Sequence, residues 1–145
     1  MSNLLKKEKG FTLIEIVLVL AIAGLLLVIV FLAVSGAQKA RRDSQRKNDA
    51  AGFAAALEAY AGNNQGAYPA NGTSPGATYW SRNDPSSGAG YTIVAAVTAP
   101  AAGTIGYSTG NICAGGVGTN AGASARNYAV VMGLEQGGSI CLDNK

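Results

Sequence analysis

The sequence predicts an α+β chain. A long N-terminal helix, membrane-spanning in its first half and amphipathic in its second, packs on a small antiparallel β-sheet head. Three observations carry this. An apolar run fills residues 11–34, longer than the ~18 residues that read as a bilayer-spanning helix. Residues 37–61 follow without proline and are rich in Ala, Arg, Lys, Gln and Glu, all good helix formers. Beyond residue 90, β-branched segments are separated by glycine-rich turns.

The first half of the helix opens on a sharp boundary. Lysines end at Lys9, Gly10 follows, and the apolar run starts at Phe11, interrupted by Thr12, Glu15 and Gly24. An acidic group at the middle of a bilayer costs roughly 2.5–3.5 kcal/mol, so Glu15 calls for a partner. A cut between Gly10 and Phe11 would supply one, by giving Phe11 a free α-amine. In a helix, positions 11 and 15 lie one turn apart and share a face. Two plainer readings compete. A secretory signal peptide would use Lys6, Lys7 and Lys9 as its basic end and be cut near Ser35. Its apolar core is normally about 7–15 residues and uncharged, which this run is not. A simple signal anchor would leave Glu15 snorkelling at the headgroups.

The heptapeptide KGFTLIE at residues 9–15 resembles the signal of type IV prepilins and of type II secretion pseudopilins. The pattern matches at Gly10, Phe11 and Glu15, and Gly24 falls where the family commonly has glycine. Many type IV pilins have proline at the position of Leu32; this chain does not, so the proline kink is not expected. The resemblance implies cleavage after Gly10, N-methylation of Phe11, and a role for Glu15 in setting the register between subunits. It implies a leader at residues 1–10, a membrane and filament-core half-helix at 11–36, an amphipathic half-helix at 37–62, and a head at 63–145. Implied partners are further copies of the chain in a helical filament, a prepilin peptidase, a platform membrane protein, a cytoplasmic assembly ATPase and the membrane. Lys6, Lys7 and Lys9 favour a cytoplasmic N-terminus. Lys39, Arg41, Arg42, Arg46 and Lys47 argue for the opposite sense on charge alone; the cleavage motif outranks that count.

The second half-helix carries Phe53, Leu57 and Tyr60 at helical spacing, with Ala50, Ala54 and Ala61 beside them, a stripe with one face to bury. Its charges fall at supportive spacings, Lys39 with Asp43, Asp43 with Lys47 and Arg46 with Asp49. The basic stretch at 39–47 therefore reads as a solvated, self-paired face touching headgroups. Gly62 and the two asparagines after it supply a stop. The sequence LEAYAGNNQGAYP at 57–69 resembles the end of this helix in pilins and major pseudopilins.

In the head, residues 62–90 are loop-like, and Tyr79 with Trp80 reads as a ring pair covering the helix. Strands are expected at 91–97, 104–108, 127–134 and 139–142, the last two as a hairpin about Glu135, Gln136, Gly137 and Gly138. Residues 114–124 are too glycine-rich to assign. Cys113 and Cys141 form an even pair in an exported head, which suggests a disulfide. It would close a loop worth about 3.6 kcal/mol in the chain-entropy model. In pilins such a disulfide bounds a variable edge.

Composition narrows the function. Histidine is absent, and no nucleophile elbow or phosphate loop occurs, so an enzyme is not expected. The net charge is +3, of which Lys6, Lys7, Lys9 and Glu8 contribute +2. The remaining +1 disfavours a nucleic-acid partner. Some major pseudopilins hold calcium in C-terminal loops. Asp143 and Asn144 offer oxygens, but no dense acidic loop accompanies them, so no metal or other cofactor is assigned. The reading is a pilus subunit serving adhesion, motility or DNA uptake. A type II secretion pseudopilin and a membrane-anchored binding module that does not polymerise remain as alternatives.

Overall fold

The computed structural model describes residues 10–145, apart from residues 84, 86, 96, 97, 99, 120–123 and 125. The expected leader, Gly10 excepted, and parts of the expected first strand and of the glycine-rich stretch lie outside the described residues. The chain divides into two compact units, Met1–Ala37 and Gln38–Lys145. Helix α1, Leu13–Asn63, contributes to both.

In the first unit, α1 exposes large apolar side chains all the way round. Those of Leu13, Val17, Leu20, Leu27 and Phe31 are each at least half exposed. A helix apolar on every side is at home only among lipid or other apolar helices. Gly24 and Gly36 lie inside α1 without ending it. The Ser35 hydroxyl donates to the Leu32 carbonyl at 3.2 Å, a local bond that competes with the helical ladder but does not break it here.

In the second unit, α1 buries Asp43, Arg46, Asp49, Ala50, Phe53, Ala56, Leu57 and Ala61. These recur at intervals of three and four, so one stripe faces the sheet. Phe53 and Leu57 are completely enclosed, each worth about 1.5–3 kcal/mol by burial. The helix runs through Gly62 and stops at Asn63, one residue past the expected glycine. Left-handed backbone at Gln65 and Gly66 then turns the chain, with the Gly66 N–H donating to the Ala61 carbonyl at 2.8 Å.

The sheet contains β1 (Thr92–Val94), β2 (Thr104–Thr109), β5 (Tyr128–Gly133) and β6 (Ser139–Asp143), in the order β1-β2-β5-β6. β2, β5 and β6 are antiparallel, in register at Tyr107 with Val130 and at Val131 with Cys141. β5 is buried along its whole length, as a central strand under a helix should be. β1 departs from expectation by pairing with β2 in parallel. The segment between Val94 and Thr104 is too long for a tight hairpin turn, and it returns the chain to the same end of the sheet. A second departure is a small hairpin of β3 (Ile112–Ala114) and β4 (Val117–Thr119), which starts just before the glycine-rich residues 114–124 and runs into them.

The core gathers Phe53 and Leu57 of α1 with Tyr91, Ile105, Tyr107, Tyr128, Val130 and Met132. Trp80 closes it as a lid. Its ring meets Phe53 edge-on at 5.0 Å and lies 5.7 Å from Tyr91, while Tyr79 packs on Tyr60 at 5.5 Å. The ring pair thus covers the helix as its sequence suggested. Edge-on pairs of this kind add about 0.5–1.5 kcal/mol beyond burial.

Gly133 marks the tightest approach. A Cβ there would collide with the Pro100 carbonyl, because Ala102 bridges to Gly133 across the sheet. Gly133→Ala is expected to cost about 1–3 kcal/mol of head stability, as overpacking of a backbone contact. Chemical unfolding of the full chain, followed by Trp80 fluorescence, checks this. An unchanged midpoint would show that the 100–102 segment yields freely.

Candidate processing and assembly site

The apolar helix needs a start, and residues 12–15 provide it. Thr12 lies just outside α1, with Glu15 three residues on. The Glu15 N–H donates to Thr12 Oγ1 at 3.3 Å. In return the Thr12 N–H and hydroxyl donate to Glu15 Oε2, at 2.8 and 2.6 Å. This is a reciprocal capping box, satisfying two helix-end donors. The T-x-x-E pattern of residues 12–15 is the sequence signal for such a box.

The box ends the helix at Thr12, so Gly10 and Phe11 are non-helical and exposed, Phe11 at 84%. The bond between them lies outside the helix, ahead of its first residue Leu13. Phe11 itself precedes the helix, yet it lines one cavity with Glu15, Ile16, Val19 and Leu20, so it lies on the Glu15 side of the chain as the spacing suggests. Both Thr12 contacts use Oε2. Oε1 of Glu15 carries no hydrogen bond among the described residues, and so stays open to a donor from elsewhere.

In the head, the basic stretch forms the expected self-paired, solvated face only in part: Lys39, Arg41 and Lys47 are exposed and Arg46 pairs with Asp43 on the same helix, but that pair is turned inward. Arg46 is fully buried. Its guanidinium pairs with Glu135 at 2.9 Å and with Asp43 at 3.4 Å. Arg42 forks onto Glu135 with bonds of 2.7 and 3.0 Å. Asp43 accepts the backbone N–H groups of Glu135 and Gln136, at 2.8 and 3.1 Å. The turn joining β5 to β6 is thereby tied to α1. Farther along, the Tyr91 hydroxyl donates to Asp49 at 2.9 Å. The helical phase that buries Phe53 and Leu57 also carries Asp43, Arg46 and Asp49 inward, so these charges have to be matched by the head.

The hydrogen bonds from Arg42 hold the Glu135 carboxyl below its usual range, against the opposing push of burial. Burial pushes Asp43 up, but the two turn N–H groups and Arg46 outweigh it, and the net shift is downward. Arg42 is raised, chiefly by its bond to Glu135.

Cys113 of β3 and Cys141 of β6 are joined by a disulfide, with Cα atoms 5.7 Å apart. The Cys113 N–H donates to Asp143 at 2.6 Å, and the Ser139 hydroxyl to the Gly116 carbonyl at 2.8 Å. These three links seat the small hairpin against β6. The Asp143 carboxylate is thus engaged in holding the backbone of β3. Asn144 likewise accepts the Tyr128 N–H at 3.2 Å.

Of the residues singled out from sequence, Gly10, Phe11 and Glu15 cluster at the start of the apolar helix, and the two cysteines pair in the head. Arg42, Asp43, Arg46 and Glu135 escaped notice as a group. Residues 5–31 match the family model of the prokaryotic N-terminal methylation motif, which is the prepilin signature of type IV pilins and pseudopilins. No curated protein and no solved structure gives a significant match.

Proposed function

We propose that this chain is the structural subunit of a type IV pilus filament, made as a precursor and cut by prepilin peptidase between Gly10 and Phe11. The observation that carries the reading is the junction itself. An exposed, non-helical Gly10 and Phe11 stand directly before a capped helix that is apolar on every side, within the matched methylation motif. The precursor sits in the cytoplasmic membrane through residues 11–34. After cleavage and methylation of Phe11, the same apolar surface packs against other copies in the filament core, and the head faces outward. A platform membrane protein and a cytoplasmic ATPase drive assembly. The role is structural, and the residues that matter are those that permit cutting, register and packing.

The test is the N-terminus of the assembled form. Mass spectrometry of sheared filaments is expected to find a chain beginning at N-methylated Phe11. A chain beginning at Met1, or near Gly36, would overturn the reading. Material that is cut at Gly10 and methylated, yet builds only short fibres linked to protein export, would identify a type II secretion pseudopilin, which shares the signature.

A further inference from the structure

The ion cluster in the head sorts the five cations of the 39–47 stretch into two groups. Arg42 and Arg46 are matched by Glu135 and Asp43. Lys39, Arg41 and Lys47 are exposed, and among the described residues none of them has an ion pair or a side-chain hydrogen bond. They need a partner from outside the head, or solvent alone.

Distance along the helix separates them. The apolar run at 11–34 is long enough for a hydrocarbon core of about 30 Å, and the headgroup layer beyond it is about 5–8 Å deep. At a rise of about 1.5 Å per residue, Lys39 and Arg41 follow Val34 by roughly 8 and 11 Å. Long basic side chains reach several ångströms back toward such a layer. Lys47 follows by about 20 Å, more than a Debye length (about 8 Å) past the layer, so its attraction to the surface is screened. Lys39 and Arg41 are two residues apart, about 200° round the helix, and so form a collar, not a patch.

We propose that Lys39 and Arg41 bind the headgroups of anionic phospholipids in the leaflet on the head side, and hold the unassembled subunit in the membrane at a set depth. The inference rests on the reading of residues 11–34 as a membrane span, but not on cleavage or polymerisation. Arg41 offers a planar fork to a phosphate, and Lys39 a point charge on a flexible stem. Each engages a separate lipid, and extraction into the filament requires both to be released.

The leader lysines would attract the same lipids, so the test uses the full chain with Lys6→Gln, Lys7→Gln and Lys9→Gln. It is reconstituted in equal parts phosphatidylcholine and phosphatidylglycerol, extracted in mild detergent, and its retained lipid is measured by mass spectrometry. The parent chain is expected to retain phosphatidylglycerol in about fivefold excess. Adding Lys39→Gln and Arg41→Gln should return the ratio to that of the starting membrane, while Lys47→Gln should leave the excess in place. Equal retention of both lipids by the parent chain overturns the proposal. So does an excess that survives the double substitution. If that surviving excess is joined by loss of sheared filaments from otherwise wild-type cells, the two cations serve acids on a neighbouring copy instead. Failure of cleavage after Gly10 would sink the filament reading while leaving this lipid ratio to decide its own question.

Discussion

Glu15→Gln is expected to abolish, or reduce at least tenfold, the recovery of sheared filaments while leaving a normal amount of cut, membrane-held subunit. The choice of glutamine matters. Glutamine can accept the Thr12 hydrogen bonds that Glu15 accepts now, so the capping box and the helix start survive. Only the charge is lost. In a filament core stripped of water, an unpaired carboxylate would be costly, and the cationic amine of a neighbouring Phe11 offsets that desolvation. On the filament reading proposed above, only the correct axial offset between copies would bring the two charges together, so the pair would select the register. Glu15→Ala removes the charge and the return half of the box together, and Thr12→Ala removes both bonds of the Thr12 hydroxyl while keeping the charge and the backbone return bond, costing about 1 kcal/mol of helix start. Comparison of the three separates the two roles. The measurement is quantitative recovery of sheared filaments from cells whose sole subunit is the variant. Normal yield from Glu15→Gln would remove the charge from the mechanism and leave Glu15 as a capping residue.

Arg46→Ala should have the largest effect on the head. The guanidinium is enclosed, and its loss leaves Asp43 and Glu135 close together with only the half-buried Arg42 beside them. Removing one partner of a buried ion cluster typically costs 3–5 kcal/mol, a large share of the roughly 5–15 kcal/mol that holds a small domain. Chemical unfolding of the full chain in detergent, read by Trp80 fluorescence, should show a midpoint far below wild type. A wild-type midpoint would mean that water or a neighbouring cation replaces Arg46. The same cluster sets an acid dependence. Asp43 and Glu135 both titrate lower in the folded head than in the unfolded chain. Their contribution is therefore complete above the ordinary carboxylate range, and is lost as pH falls through that range and below it. Arg46→Ala should reduce that loss only in part, because Arg42 still holds Glu135 down and the two turn N–H groups still hold Asp43 down.

The contrast between these two sites shows what the sequence could reveal. The start of the helix is a local matter. Gly10, Phe11, Thr12 and Glu15 lie within six residues, and their types and spacing suffice to recognise the junction. The β5–β6 hairpin was legible for the same reason, from alternation flanking a glycine turn. The Arg46 cluster is non-local. Arg42 meets a glutamate 93 positions later, and no helical spacing rule could find it. Spacing pointed instead to neighbours on the helix, which gave a wholly solvated face where Asp43, Arg46 and Asp49 are in fact buried. The β3–β4 hairpin was missed because its sequence offers little apolar pattern. It is held from outside itself, by a covalent bond and by contacts to β6. The parallel pairing of β1 escaped for a related reason, since a three-residue strand carries too short a pattern to declare its direction.

The small hairpin has a bearing on crowding. If the chain assembles as proposed, subunits waiting in a membrane, and still more those stacked along a fibre, would hold their heads at very high local concentration. An open sheet among them would be a template on which one head could add to the next, strand by strand, in place of the helical packing that makes an ordered polymer. Here β6, the long outer strand, carries the hairpin fastened to it through Cys113 and Cys141, and the opposite border ends in the three residues of β1. Reducing the disulfide would loosen one of these guards. The first symptom would then be disordered association between otherwise folded heads, well before loss of the fold itself.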